Sequence, residues 1–497
     1  MRLTVKIAVM WLCIYCCFQP ALAQTLRVVD VDPLGDDQPD AGCTLREAIN
    51  LANAGLGEAL GCQAMDQGDG LPITYEIRLP AMRYVLGAGL DDTNLLGDLD
   101  IQVGLRMVGQ GPESSIIDGQ GVDRVLQVLG GRLELENLQV TGGNVSGCGG
   151  GILANDLTVR NVWIQANQSF SIQTRGGGGI CSEQGQVEIL AGSVVAQNSS
   201  NERGGGVFIG GNLLVRDSFI ESNEGVLGGG VSILGGQLLV QNTTFVSNEA
   251  VYGGGIFLNA LTEVAIENSS FVTNLAEFGG GIFRFRSENP RVNIANTTFV
   301  GNIAQEPGGN GAGGGISGNG MSLTHVTMAG NQADEGGGLY GSFEASDESF
   351  RLANSLIAGN TDMAGSPSDC VGSFVSAQYN LIGSNQNCEM SFPAGDQNLM
   401  NDQVGTTALL LSPQLGSLPG SVTLLVPEVT SPAVDAVPEV NCVYISAGDN
   451  PLFQAGMPVL HDQRGAPRQG ACDIGAAENL ALFADGFEGQ SINVMSI

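Results

Sequence analysis

Positive charge is what this sequence has least of. Its 497 residues carry 51 Asp+Glu against 19 Lys+Arg, a formal net charge of -32, and the only lysine is Lys6. Such a surface excludes nucleic acid as a partner, because phosphate binding needs clustered cations. Histidine is nearly as scarce. With only His325 and His461, a zinc cluster or a Ser-His-Asp constellation lacks its usual material. The glycine runs have no lysine after them and so are not Walker loops, and no nine-residue Asp spacing marks them as calcium-binding nonapeptides. Beyond the first residues there is no apolar run of the ~18 residues that a membrane helix needs.

The N-terminus reads as a secretory leader. Arg2 and Lys6 precede an apolar run over 7–18, and Ala21-Leu22-Ala23 supplies the small-residue cleavage pattern. Export is therefore expected, to the outside of the cell or its outer surface. Removing 1–23 leaves 17 cations against 51 anions, no lysine, and eight of the 11 cysteines. An even number of cysteines in an exported chain favours disulfides. Their spacing suggests the local pairs Cys43 with Cys62, Cys370 with Cys388 and Cys442 with Cys472, which leaves Cys148 for Cys181.

Glycine, by contrast, is abundant, with 75 residues. A glycine run followed by Ile, Val or Leu recurs with its last glycine at Gly151, Gly179, Gly206, Gly230, Gly255, Gly281, Gly315 and Gly338. A second mark keeps step: an asparagine three residues after an aliphatic or aromatic residue, as in Ile220/Asn223, Phe245/Asn248, Phe271/Asn274 and Phe299/Asn302. Two landmarks sharing a spacing of about 25 residues define a structural repeat. Within it, apolar and polar residues alternate with period two, as in LLVQN at 238–242, which means strands. A single unit of this kind cannot bury its apolar face, whereas stacked units share one core. The fold class expected is all-β, a right-handed parallel β-helix of about a dozen coils between residues 75 and 390. Glycine serves tight corners and close coil approach, and asparagine builds a ladder from coil to coil.

Both ends need cover, because an open sheet edge invites pairing with another chain. CTLREAIN at 43–50 is the best helix in the chain, with Thr44 and Glu47 forming a capping box and Leu45, Ala48, Ile49 and Ala52 on one face. It is expected to cap the first coil, with Gly55 as its stop. Beyond 366 a Pro-containing, disulfide-bearing region should close the far end. The resulting division is leader 1–23, cap and first coils 24–120, repetitive helix 121–365, C-terminal region 366–478 and tail 479–497.

Three strings carry a family resemblance at the N-terminal side: CTLREAINLANA at 43–54, GDLDI at 97–101 and IIDGQG at 116–121. They resemble the CSLREA-type domain of exported bacterial proteins, with Thr44 in place of serine. NLIGSNQNC ending at Cys388, SPAVDA at 431–436 and HDQRGAPRQGACDIGAAE at 461–478 resemble the choice-of-anchor Q region. The coils between are similar to the pectin-lyase-like superfamily and to the repeats of chlamydial polymorphic outer-membrane proteins. The resemblance implies a secreted or surface-displayed β-helix and fixes no chemistry.

Two candidate sites remain. Arg284, Arg286 and Arg291 cluster in FRFRSENPR at 283–291, with Glu288 beside them and Glu306 in the next loop. Strand alternation is expected to point Phe283 and Phe285 inward and Arg284 and Arg286 outward. This patch would meet an anionic glycan or, as a lyase or hydrolase, supply the arginine and carboxylates of its chemistry. The acidic stretches 30–40 and 91–100 offer oxygen ligands for Ca²⁺, with Asp98 and Asp100 as the candidate pair. His325 sits at a coil-asparagine position and reads as a packed corner residue. The favoured function is a non-catalytic exported β-helix in adhesion, glycan contact or envelope structure. Its partners are polysaccharide or cell-surface components, it has no required cofactor, and polysaccharide cleavage is the alternative.

Overall fold

The computed structural model describes residues 25–477, except for 33–41, 60, 70–74, 88–93, 95, 171–175, 260–261, 286–291, 342–348, 392–402, 405–410, 415–423, 428–430, 432, 445–454 and 469. The expected leader and the tail lie outside the described residues.

Period two and the glycine spacing together give a parallel β-helix of about ten turns. A representative coil lays down three strands, Val231–Ile233 on a first face, Gln237–Gln241 on a second and Thr244–Val246 on a third. Each pairs in parallel with its counterpart one coil on, so that Val231 meets Ile256, Leu238 meets Val264 and Phe245 meets Phe271. The inward residues form one continuous core running from Val29 to Ile382. In it Phe245, Phe271 and Phe299 stack at 4.8 and 4.7 Å with rings nearly parallel. That spacing is the strand separation itself, so one aromatic per coil at the same offset makes a column.

The corners explain the composition. Between the second and third faces, Asn242, Asn268, Asn296, His325 and Asn354 all hold φ between 45° and 53°, the left-handed region that asparagine tolerates. His325 thus occupies the expected corner position and is buried. After the third face comes the ladder. Asn223, Asn248, Asn274, Asn302 and Asn331 are buried, and each Nδ2 donates to the Oδ1 of the asparagine one coil on at 2.8–3.0 Å. Glycine is required in the run that follows. Gly253 has φ of +69°, and a Cβ on Gly254 would lie 2.5 Å from the carbonyl oxygen of Gly280 in the next coil.

At the N-terminal side the helix α1 spans Leu45–Ala54, with Thr44 as N-cap, the Thr44/Glu47 capping box and Gly55 at φ 69° as its stop. Arg46 is buried and donates to the carbonyls of Gly97 (2.7 Å) and Asp98 (2.8 Å). The CTLREA string is therefore structural throughout: disulfide, cap, apolar face and an arginine that ties the helix to the first coils.

The coils continue past residue 366. Cys370–Gln378 pairs with both Leu339–Tyr340 and Phe350–Ala353, and Cys388–Ser391 adds a further rung. The later C-terminal residues lie back along the flank. Tyr444 donates to Glu267, Gln463 reaches Ser269, Ser270 and Thr298, and Asn354 donates to the carbonyl of Asn441. All four expected disulfides are present, Cys43–Cys62, Cys148–Cys181, Cys370–Cys388 and Cys442–Cys472. They fit an oxidising compartment. Among the described residues no helix is long and apolar enough to cross a membrane.

Candidate functional site

The strand Ile282–Arg284 reverses the expected orientation. Arg284 is 2 % exposed and Phe285 is 46 % exposed. Register is the reason. Ile282 pairs with Ile256, Phe283 with Phe257 and Arg284 with Leu258, so Arg284 inherits a core position. Its Nη1 donates there to the backbone carbonyl oxygens of Asn319 (2.8 Å) and Gly320 (2.5 Å). Glu306 uses its Oε2 on its own loop, accepting from the backbone N–H groups of Gly308 (2.9 Å) and Asn310 (3.3 Å). Arg286, Glu288 and Arg291 lie outside the described residues. Arg284 and Glu306 are thus each held by backbone groups, and an outward patch built on Arg284 does not form.

What the reversal puts outside is aromatic. Phe283 and Phe285 join Tyr252 and Phe257 in a groove of about 460 Å³, whose other walls among the described residues are Arg203, Leu227, Leu234 and Asn259. Stacking of coils generates it from two columns. At the corner before the glycine run, Arg203, Leu227, Tyr252 and Phe278 are bridged in succession. On the outward side of the first face, Phe208, Ser232, Phe257 and Phe283 are register partners. Tyr252 stacks on Phe278 at 5.3 Å, Phe257 on Phe283 at 5.9 Å, and Tyr252 meets Phe283 at a tilt at 5.0 Å. Arg203 closes one end. Its Nε is buried without a hydrogen-bond partner, and burial lowers its pKa from the ordinary value, Glu202 opposing.

Across the Leu227/Tyr252 corner lies a second cleft of about 500 Å³, with Glu224, Glu249 and Glu277 on a floor of Val226, Val251 and Leu275. The sequence signal for the aromatic groove is the hexapeptide YGGGIF at 252–257 and its near copy FGGGIF at 278–283. It turns two aromatics per coil away from the central core, one on either side of the glycines.

The other candidates are engaged elsewhere. Asp98 is buried and its Oδ2 lies 3.2 Å from Nη1 of Arg124. Burial first, and the Asp100 carboxylate next, push the Asp98 pKa up to about 7, against the pull of Arg124. A guanidinium thus already contacts one carboxylate of the candidate Ca²⁺ pair. Among the described residues no group of three or more His, Cys, Asp and Glu is placed to hold a metal. Burial and the Arg468 charge hold His325 neutral by lowering its pKa, and its Nε2 lies 3.1 Å from Asn354 Nδ2.

Stacked parallel coils with an aromatic groove on one flank define a parallel β-helix, a fold that specifies no reaction. No family model matches the chain, and no curated protein sequence matches it. Among solved structures it is similar to the A-module of the mannuronan C-5 epimerase AlgE6 from Azotobacter vinelandii, at 11 % identity and a TM-score of 0.29, over 75 % of this chain and 95 % of that one. A likeness this remote says nothing about chemistry.

Proposed function

We propose that this chain is an exported, non-catalytic β-helix that contacts a glycan through the groove of Tyr252, Phe257, Phe283 and Phe285. The leader at 1–23, the four disulfides and the CSLREA-like and choice-of-anchor Q-like strings at the two ends support export and a role in adhesion or envelope structure. The observation that carries glycan contact is the groove itself. The exposed Phe285 and the half-buried Tyr252 and Phe283, backed by the buried Phe257, offer an apolar platform for the C–H face of a sugar ring, while the phenol of Tyr252 and the amide of Asn259 reach its hydroxyls. Among the described residues the walls hold no carboxylate or imidazole of the kind used in general acid–base work.

The test is a glycan array read alongside a turnover screen, for new reducing ends and unsaturated uronate, with and without Ca²⁺. Binding without turnover is expected, together with loss of binding in Tyr252→Ala and Phe285→Ala. Turnover that Arg286→Ala abolishes would replace this reading with a polysaccharide lyase or hydrolase. A folded protein that binds no glycan would end it.

A further inference from the structure

We infer that the aromatic groove selects carboxylate-bearing sugars, and that Arg203 is the group that recognises the carboxylate. The inference rests on the groove being a glycan site and adds what that glycan must carry.

Arginines in so acidic a chain are expected to be paired, and the described ones largely are. Arg83 meets Asp118, Arg106 meets Glu76 and Glu136, Arg132 meets Glu188, and Arg464 meets Asp462. Among the described residues Arg160, Arg203 and Arg351 show no ion pair, and of these three Arg203 alone lines the groove and has an Nε that is buried with no acceptor. An N–H buried without an acceptor is unfavourable, and a guanidinium presents its donors as a planar fork that fits a carboxylate at two points. A ligand carboxylate in the groove would supply the guanidinium with the charged acceptor that the protein does not. A neutral sugar makes no such demand, and stacking alone would be served as well by a leucine at 203, as at Leu227 one coil on.

Position agrees with this. Arg203 starts the corner column that continues through Leu227 to Tyr252 and Phe278. With coils ~4.8 Å apart, the guanidinium and the Phe283 ring stand three coils, about 14 Å, from each other along the rod. That length suits a short oligosaccharide, charged at one end of the groove and stacked at the other.

The test is calorimetric titration of the mature chain with galacturonate and mannuronate tetramers and with their carboxyl-reduced, neutral counterparts. The wild type should bind at least one charged tetramer about tenfold or more tighter than its neutral form, the ordinary scale of a charge-assisted contact. Arg203→Gln should erase that difference, bringing the affinity for the charged tetramer to that of its neutral form. Arg203→Lys, which keeps charge but not the fork, should restore part of it. Equal affinity for charged and neutral forms overturns the inference while the glycan reading stands. A charge preference that survives Arg203→Gln overturns it too, by placing recognition elsewhere. If neither form binds a protein whose melting curve is intact, the inference and the glycan reading fall together.

Discussion

Replacing Asn248 by alanine removes one rung from the asparagine ladder, and the structure says what is lost. Asn248 Oδ1 accepts from the backbone N–H of Asn223 (3.1 Å) and from Asn223 Nδ2 (3.0 Å), while its Nδ2 donates to Ile220 O (2.8 Å) and Asn274 Oδ1 (2.9 Å). All of these atoms belong to a buried stretch, so water cannot take over. Two donors lose their acceptor outright. At roughly 1–3 kcal/mol for each buried group left unsatisfied, the loss is about 4 kcal/mol. Long repeat arrays need not unfold in one step, so a global midpoint would blur a local change. Native-state hydrogen exchange read by mass spectrometry resolves it. Peptides covering 219–228 and 244–252 should exchange about a thousandfold faster than in the wild type, since each 1.4 kcal/mol is tenfold. Protection within threefold of the wild type would refute the ladder as a source of stability. The last rung supplies a natural control. After Asn360 comes Asp369, which only has to accept: its Oδ1 receives the N–H and Nδ2 of Asn360 at 2.8 Å, and its Oδ2 receives Ser384 N–H at 2.7 Å. Asp is therefore suited to the end of the ladder. Asn248→Asp in the middle should harm as much as alanine, because its oxygens would face Ile220 O and Asn274 Oδ1.

The Asp98 carboxyl, raised by burial to about 7 from an ordinary 3.8, makes the first coils depend on pH. The folded state holds more protons than the unfolded one between those values, so stability there falls as pH rises from about 4 through 7. Exchange protection over α1 should accordingly be lower at pH 8 than at pH 5, and Asp98→Asn should flatten the profile. Arg284→Leu restores the residue type of Leu258 but strips donors from the carbonyls of Asn319 and Gly320. It should cost roughly 1–3 kcal/mol by local exchange and leave glycan affinity within about twofold. A large affinity loss with unchanged protection would return Arg284 to the binding site.

The misplacement of Arg284 shows where the sequence was legible and where it was not. Coils, the ladder, α1 with its cap and all four disulfides follow from marks that repeat or pair along the chain, and each such mark reports a backbone requirement. The site depends instead on the phase of a three-residue strand. Read by hydrophobicity alone, FRFR turns its phenylalanines inward. Read by the repeat, the residue directly after each glycine run is buried, as in Val207, Val231, Ile256 and Ile282. The residue two further on is then inward as well, as in Ile209, Ile233 and Leu258, and that position in the next coil is Arg284. Register prevails over side-chain preference because shifting one coil by a residue would break its hydrogen bonds to both neighbours and turn its whole apolar set outward. Two donors finding carbonyls is the smaller adjustment. The same phase turns Phe257 and Phe283 away from the central core, Phe257 buried and Phe283 half-buried, and a chain that keeps aromatics there in consecutive coils has made a groove that its core does not require.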